Sequence, residues 1–138
     1  MSSPRVIVDT GPLVALLSEG EAMHKWVASQ FAELPAPFIT CEPVLAEAFF
    51  LLSRLPGGER RFFELLGSGL LEVGFSVLGE REELWKLIRK YEDLPMSLAD
   101  ACLVRLAELH PKASVFTLDT HFRVYRKHGR QQIPVILP

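Results

Sequence analysis

Short apolar runs alternate along this chain with longer segments in which apolar positions recur every three or four residues. The first run, Val6-Ile7-Val8, makes residues 5–8 a buried strand, and residues 11–17 then predict a short helix. Residues 21–34 predict a second helix, with Met23, Trp26, Val27, Phe31 and Leu34 on one face. A strand is expected at residues 38–40. Residues 43–55 form the third predicted helix, with Pro43 suited to a first turn, and residues 58–66 the fourth, closed by Gly67 and Gly69. The pattern continues with a strand at 70–75, a charged amphipathic helix at 80–91, an apolar helix at 97–110 and a strand at 115–118. A short helix at 121–127 and a strand at 135–137 complete the expected elements.

This alternation is the mark of an α/β fold: a three-layer sandwich with a mostly parallel central sheet flanked by helices. No repeat, low-complexity tract or linker divides the chain, and 138 residues suit one domain, here residues 1–138. With 49% apolar and 23% charged residues the composition is that of a folded globular chain, so disorder is expected only in the first few residues. In sheets of this kind ligands bind beyond the carboxyl ends of the strands, near the point where strand order reverses.

No apolar stretch reaches the roughly 18 residues of a membrane span, and Asp9 interrupts the apolar run after Arg5 too early for a secretory signal. A cytoplasmic protein without membrane contact is expected. Cys41 and Cys102 form no C-x-x-C pattern and sit among core-like residues, which predicts buried free thiols. A formal charge of −2 argues against a strongly electropositive nucleic-acid binder, but net charge hides local patches. Residues 121–130 hold Arg123, Arg126, Lys127 and Arg130 with Phe122 and Tyr125 between them. One reading is a solvated helix end, where cations are favoured near the last carbonyls. The other is a phosphate-gripping segment, with Arg123 and Arg126 as the RNA-binding candidates.

Four acids stand out against their surroundings. Asp9 closes the first strand and Asp119 follows the strand that ends near Leu118, so both emerge at one sheet edge if those strands run parallel. Glu47 lies in Val44-Leu-Ala-Glu-Ala-Phe-Phe-Leu-Leu52 and Asp100 in Leu98-Ala-Asp-Ala-Cys-Leu-Val104, each the lone acid of a segment expected to be buried. An unpaired buried carboxylate must be protonated, matched by a cation or bound to a metal. For the two helix acids the nearest cations in sequence are Arg105, beyond Asp100, and Arg54, well past Glu47. A shared metal would settle all four charges, and ligation by oxygen alone suits Mg²⁺ or Mn²⁺ better than zinc.

Each acid also has a structural reading. Asp9 can begin a turn with Gly11 and Pro12, Asp119 can cap the following helix, and Glu47 can face solvent through a gap in the apolar surface. Ser97-Leu-Ala-Asp100 has the form of a capping box with Asp in place of Glu. The hydroxyls of Thr10, Ser97, Thr117 and Thr120 flank three of the acids. They can hold spare carboxylate lone pairs or orient water, Thr10 and Thr117 before the others.

The acids and their flanks resemble the PIN domain family, and within it the VapC-type toxin ribonucleases of toxin-antitoxin pairs. The first acidic motif is Val-Ile-Val-Asp9-Thr-Gly-Pro-Leu, the second Glu-Pro-Val-Leu-Ala-Glu47, the third Leu-Ala-Asp100-Ala and the last Phe-Thr-Leu-Asp119-Thr-His-Phe. The resemblance covers nearly the whole chain. It implies a metal-dependent endoribonuclease with Asp9, Glu47, Asp100 and Asp119 as catalytic residues, Asp9 and Asp100 as direct ligands of Mg²⁺ or Mn²⁺, a cognate antitoxin as partner, and a homodimer. Phe49, Phe50, Leu51 and Leu52 with Phe62, Phe63, Leu65 and Leu66 supply more apolar surface than two small helices need for one face, which fits either partner contacts or core packing. The alternative is a PIN scaffold that binds RNA or protein and cuts nothing. An aspartyl-phosphate enzyme is a weaker match, because Asp9-Thr-Gly-Pro lacks a second acid beside the first.

Overall fold

The computed structural model describes residues 4–138. The first few residues, where disorder is expected, lie in part outside that range. Five strands form a single parallel sheet: β1 (Val6–Val8), β2 (Phe38–Ile39), β3 (Leu71–Glu72), β4 (Ser114–Phe116) and β7 (Val135–Ile136), in the order β3-β2-β1-β4-β7. β1 is central, and all three of its residues are buried. Six helices flank the sheet: α1 (Thr10–Leu17), α2 (His24–Glu33), α3 (Glu42–Leu52), α4 (Gly58–Gly67), α5 (Arg81–Lys90) and α6 (Leu98–Leu109).

The chain steps outward from β1 to β2 to β3, then returns past β1 to β4. Because parallel crossovers are right-handed, this reversal puts α1 to α4 on one face and α5 and α6 on the other. The packed pairs agree: α1 meets α2, α3 and α4, while α5 packs on α6. The three-layer α/β reading holds. The reversal lies between β1 and β4, whose register sets Val8 opposite Phe116.

Four segments depart from the expected pattern. α3 ends at Leu52 and not at residue 55, with Ser53 N closing the last turn on the Phe49 carbonyl. β3 stops at Glu72 and does not run to residue 75, because its one neighbour, β2, has only two residues to pair with. α2 begins at His24, with residues 21–23 taken up in a turn that bonds His24 N to the Glu21 carbonyl. Residues 121–127 are not a helix. A single 3-10 turn at Thr120–Arg123 gives way to β5 (Arg126–Lys127), which pairs antiparallel with β6 (Gln131–Gln132). His128 and Gly129 both take positive φ in the reversal, a feature that hydrophobic spacing does not register.

Cys41 and Cys102 are free and buried, as expected. Among the described residues no helix is long and apolar enough to cross a membrane.

Candidate active site

The carboxyl ends of β1 and β4 carry the first and last acids. Asp9 N donates to the Phe116 carbonyl at 3.0 Å, which extends the ladder one step past β1 and fixes the backbone beneath the carboxylate. From the other side the buried Thr40 hydroxyl donates to the Val8 carbonyl at 2.9 Å. Asp9 thus leaves the sheet at a rigid point and caps α1, its Oδ1 accepting from Thr10 N at 2.7 Å. Oδ2 accepts from the Thr117 hydroxyl at 2.7 Å. Thr117 in turn accepts from Asp119 N at 2.9 Å, so one buried hydroxyl ties together the two strand-end acids.

Glu47 is recruited from α3. Val44, Ala48 and Leu52, four residues apart, form the buried stripe of that helix, and Glu47 lies off it. Its Oε2 accepts from the Thr10 hydroxyl at 2.9 Å. The expectation that Glu47 is buried does not hold: the residue is exposed, because α3 covers the sheet with one face only and leaves Ala46, Phe50 and Leu51 in solvent as well. Asp100, at the start of α6, is half-buried. It closes a reciprocal capping box in which Asp100 N donates to Ser97 Oγ at 3.0 Å and Ser97 N to Asp100 Oδ2 at 3.2 Å. A helix cap and a site acid are therefore the same residue here.

Neither nearby arginine serves the acids. Arg105 binds Glu80 and Glu108, and Arg54 stacks 4.4 Å from the centre of the Phe50 ring. Among the described residues no ion pair reaches Asp9, Glu47 or Asp100, while Asp119 Oδ1 lies 3.3 Å from His121 Nδ1. Uncompensated charge shows in the titration. Burial, with repulsion from Asp100 and Asp119, pushes the Asp9 carboxyl up to about 6 against the bonds from Thr117 and Thr10. Burial, joined by the charge of Asp119, also raises Asp100. Tyr125 is raised by burial and by the neighbouring Asp100.

The sequence candidates thus divide. The three aspartates feel one another, and Thr10 links Glu47 to the same strand end. Among the described residues no three acidic, imidazole or thiol groups are drawn tightly enough together to grip one ion as they stand. The donor set fits a hard divalent cation all the same: carboxylate oxygens only, unmatched by lysine or arginine among the described residues, with Asp9 resisting ionisation because it is buried beside two further acids.

The basic segment is partly spoken for. Arg126 Nη1 donates to the carbonyls of Arg123, Val124 and Tyr125, and Lys127 is buried with its ammonium on the Pro111 carbonyl. Arg123 and Arg130 are the exposed cations of this segment. Three residues that sequence reasoning did not assign to the site also touch it: Thr40 behind Asp9, His121 beside Asp119, and Tyr125, whose hydroxyl lies 3.3 Å from Asp100 Oδ2.

Comparison with known proteins fits this geometry. The family model of the PIN domain matches residues 6–128. The chain belongs to the PIN domain family. Ribonuclease VapC26 of Mycobacterium tuberculosis is 28% identical over 134 residues, spanning 95% of this PIN domain chain and 99% of the relative. The crystal structure of Mycobacterium tuberculosis VapC20, a sarcin-ricin loop cleaving toxin, superposes with a TM-score of 0.75 at 21% identity, over 83% of this chain and 90% of that one. The VapC-type resemblance read from the four acidic motifs is borne out. In this PIN domain the matched span contains all four acids, Thr10, Thr117 and the hairpin strand β5.

Proposed function

We propose that this PIN domain protein is a metal-dependent endoribonuclease, the toxin of a toxin-antitoxin pair. The observation that carries the reading is the Asp9-Thr117-Asp119 bridge at the sheet's reversal point, with Asp100 close enough to raise Asp9 and, among the described residues, no lysine or arginine to neutralise the group. Asp9 and Asp100 would hold Mg²⁺ or Mn²⁺. When bound, such an ion acidifies a coordinated water and offsets charge on the scissile phosphate. The protein's part is placement and proton transfer. Bonds to Glu47 and Asp119 fall on Oε2 and Oδ1, leaving Glu47 Oε1 and Asp119 Oδ2 open to take the proton of an attacking water. Thr10 and Thr117 hold the carboxylates that face it, and Arg123 and Arg130 receive the flanking phosphates.

Two protein contacts complete the proposal. Phe50, Leu51, Phe63 and Leu66 are exposed, and a groove of about 390 Å³ runs between α3 and α4 over Leu45, Phe49 and Phe62. Apolar surface of this extent supports burial against a second copy of the chain and a cognate antitoxin. The excess noted in the sequence therefore divides: Leu52, Phe62 and Leu65 fill the core, Phe49 packs half-buried against it, and Phe50, Leu51, Phe63 and Leu66 face outward.

The test is incubation of wild type and Asp9→Asn with a mixed RNA pool plus Mg²⁺ or Mn²⁺. Cleavage by wild type alone, abolished by a chelator, is the expected result. RNA equally intact in both samples would replace the enzyme by a catalytically silent PIN module.

A further inference from the structure

Both protein bonds to the Asp100 carboxylate fall on Oδ2, one from Ser97 N and one from Tyr125. The Tyr125 oxygen lies 3.3 Å from Asp100 Oδ2 and 3.4 Å from the Pro95 carbonyl. A phenol carries one proton, so it serves one of these acceptors at a time. An ionised carboxylate is the stronger acceptor, which favours Asp100 whenever that residue is charged.

The phenol has little freedom to leave. Tyr125 is fully buried, with ring centres 5.0 Å from Tyr91 and 5.2 Å from Phe122, both edge to face. The Tyr91 hydroxyl accepts from Arg126 N at 2.8 Å and so pins the start of β5 next to Tyr125. Arg126 closes its guanidinium over the carbonyls of the same turn. The hairpin segment, whose cations first suggest a phosphate grip, also clamps an aromatic donor onto a site acid.

We propose that Tyr125 is a positioning residue: its hydroxyl holds Asp100 by Oδ2 and leaves Oδ1 free to ligate the divalent cation. The inference rests on the ribonuclease reading, in which Asp100 is a direct ligand. Donors of this kind orient a ligating carboxylate, and their loss weakens metal binding about 10- to 100-fold. Ser97 N gives Oδ2 one bond, from the helix's own cap; the buried phenol adds a second from a different element, so that oxygen is held from two directions.

The experiment is a Mn²⁺ titration of the metal-free protein followed by electron paramagnetic resonance, with melting curves recorded on the same samples. Wild type, Tyr125→Phe, Tyr91→Phe and Asp100→Asn are compared. Tyr125→Phe is expected to bind Mn²⁺ about 10-fold more weakly, Tyr91→Phe to weaken binding by less, since it loosens the pin on Arg126 N but keeps the phenol beside Asp100, and Asp100→Asn to lose most binding. Wild-type affinity in Tyr125→Phe, with Asp100→Asn impaired, overturns this inference and spares the ribonuclease reading. No Mn²⁺ binding by wild type, or unchanged binding by Asp100→Asn, overturns both. Should Tyr125→Phe melt too early to titrate, wild type labelled with ¹³C at tyrosine Cζ decides. The chain has two tyrosines, and Mg²⁺ should move the Tyr125 signal while leaving Tyr91 in place. A Tyr125 signal that stays fixed while Mg²⁺ binds would defeat the proposal.

Discussion

The Thr117 hydroxyl donates to Asp9 Oδ2 at 2.7 Å and joins residues 108 positions apart. Because the same oxygen accepts from Asp119 N, its removal strands two polar groups at once. Thr117→Val keeps the side chain's shape and deletes that oxygen. It should destabilise the fold by about 1–3 kcal/mol, read from urea unfolding, and slow RNA cleavage by more than it slows RNA binding. Thr117→Ser should restore both.

Asp9 sets a pH dependence of opposite sign to that of a salt-bridged acid. Its carboxyl titrates near 3.8 in the unfolded chain and at about 6 in the fold, so between those values the folded state binds more protons. Stability falls wherever the folded state holds the extra proton and pH rises. The metal-free protein should therefore be fully favoured by Asp9 below pH 3.8 and lose that contribution by about pH 6. The shift corresponds to at most about 3 kcal/mol. Asp9→Asn should raise the melting temperature of the metal-free protein at pH 8 and flatten its decline across the window. A wild-type melting temperature that climbs through this interval would contradict the assignment once other acids are held constant by comparison with the variant.

Exposure separates the cations of the hairpin segment. Arg123→Ala with Arg130→Ala should reduce the slope of log binding constant against log salt by about 1.4 for single-stranded RNA, the share of two phosphate contacts. Arg126→Ala should instead lower the melting temperature with little change of slope, since its guanidinium holds three backbone carbonyls. Filter binding across a salt series distinguishes the two. An equal slope in all three proteins would remove this segment from the RNA path.

The corner between α3 and α4 has no room for a side chain at Gly58. A Cβ placed there would sit 1.9 Å from the Leu52 carbonyl oxygen, a backbone atom that cannot step aside without moving α3. Gly58→Ala should destabilise the protein by about 3 kcal/mol, measured as a lowered denaturant midpoint. It should also disturb the apolar groove of Phe49, Phe62 and Phe63 that is proposed to meet a second copy of the chain, seen as a change in oligomeric state on sizing.

The order of strands and helices and the two strand-end acids were readable from the sequence, because both depend on neighbours a few residues away. Val6-Ile7-Val8 ends at a carboxylate whatever lies across the sheet, and Ser97 and Asp100 cap a helix from three residues' distance. Apolar residues surround Glu47 in sequence and predict its burial, whereas the packing of α3 alone decides which of them meet the core. The charges and aromatics after Asp119 suit a helix; antiparallel pairing with Gln131–Gln132 and two positive φ angles settle the segment otherwise. Tyr125 was visible as an aromatic among cations, but its tie to Asp100 comes from the packing of α5, α6 and the hairpin. The sequence by itself determined which groups of this protein can carry charge and where its strands stop. Tertiary structure decided which carboxylates share a field, which arginines are already engaged and which hydroxyl holds which acid, because those relations are set by distances that chain order does not encode.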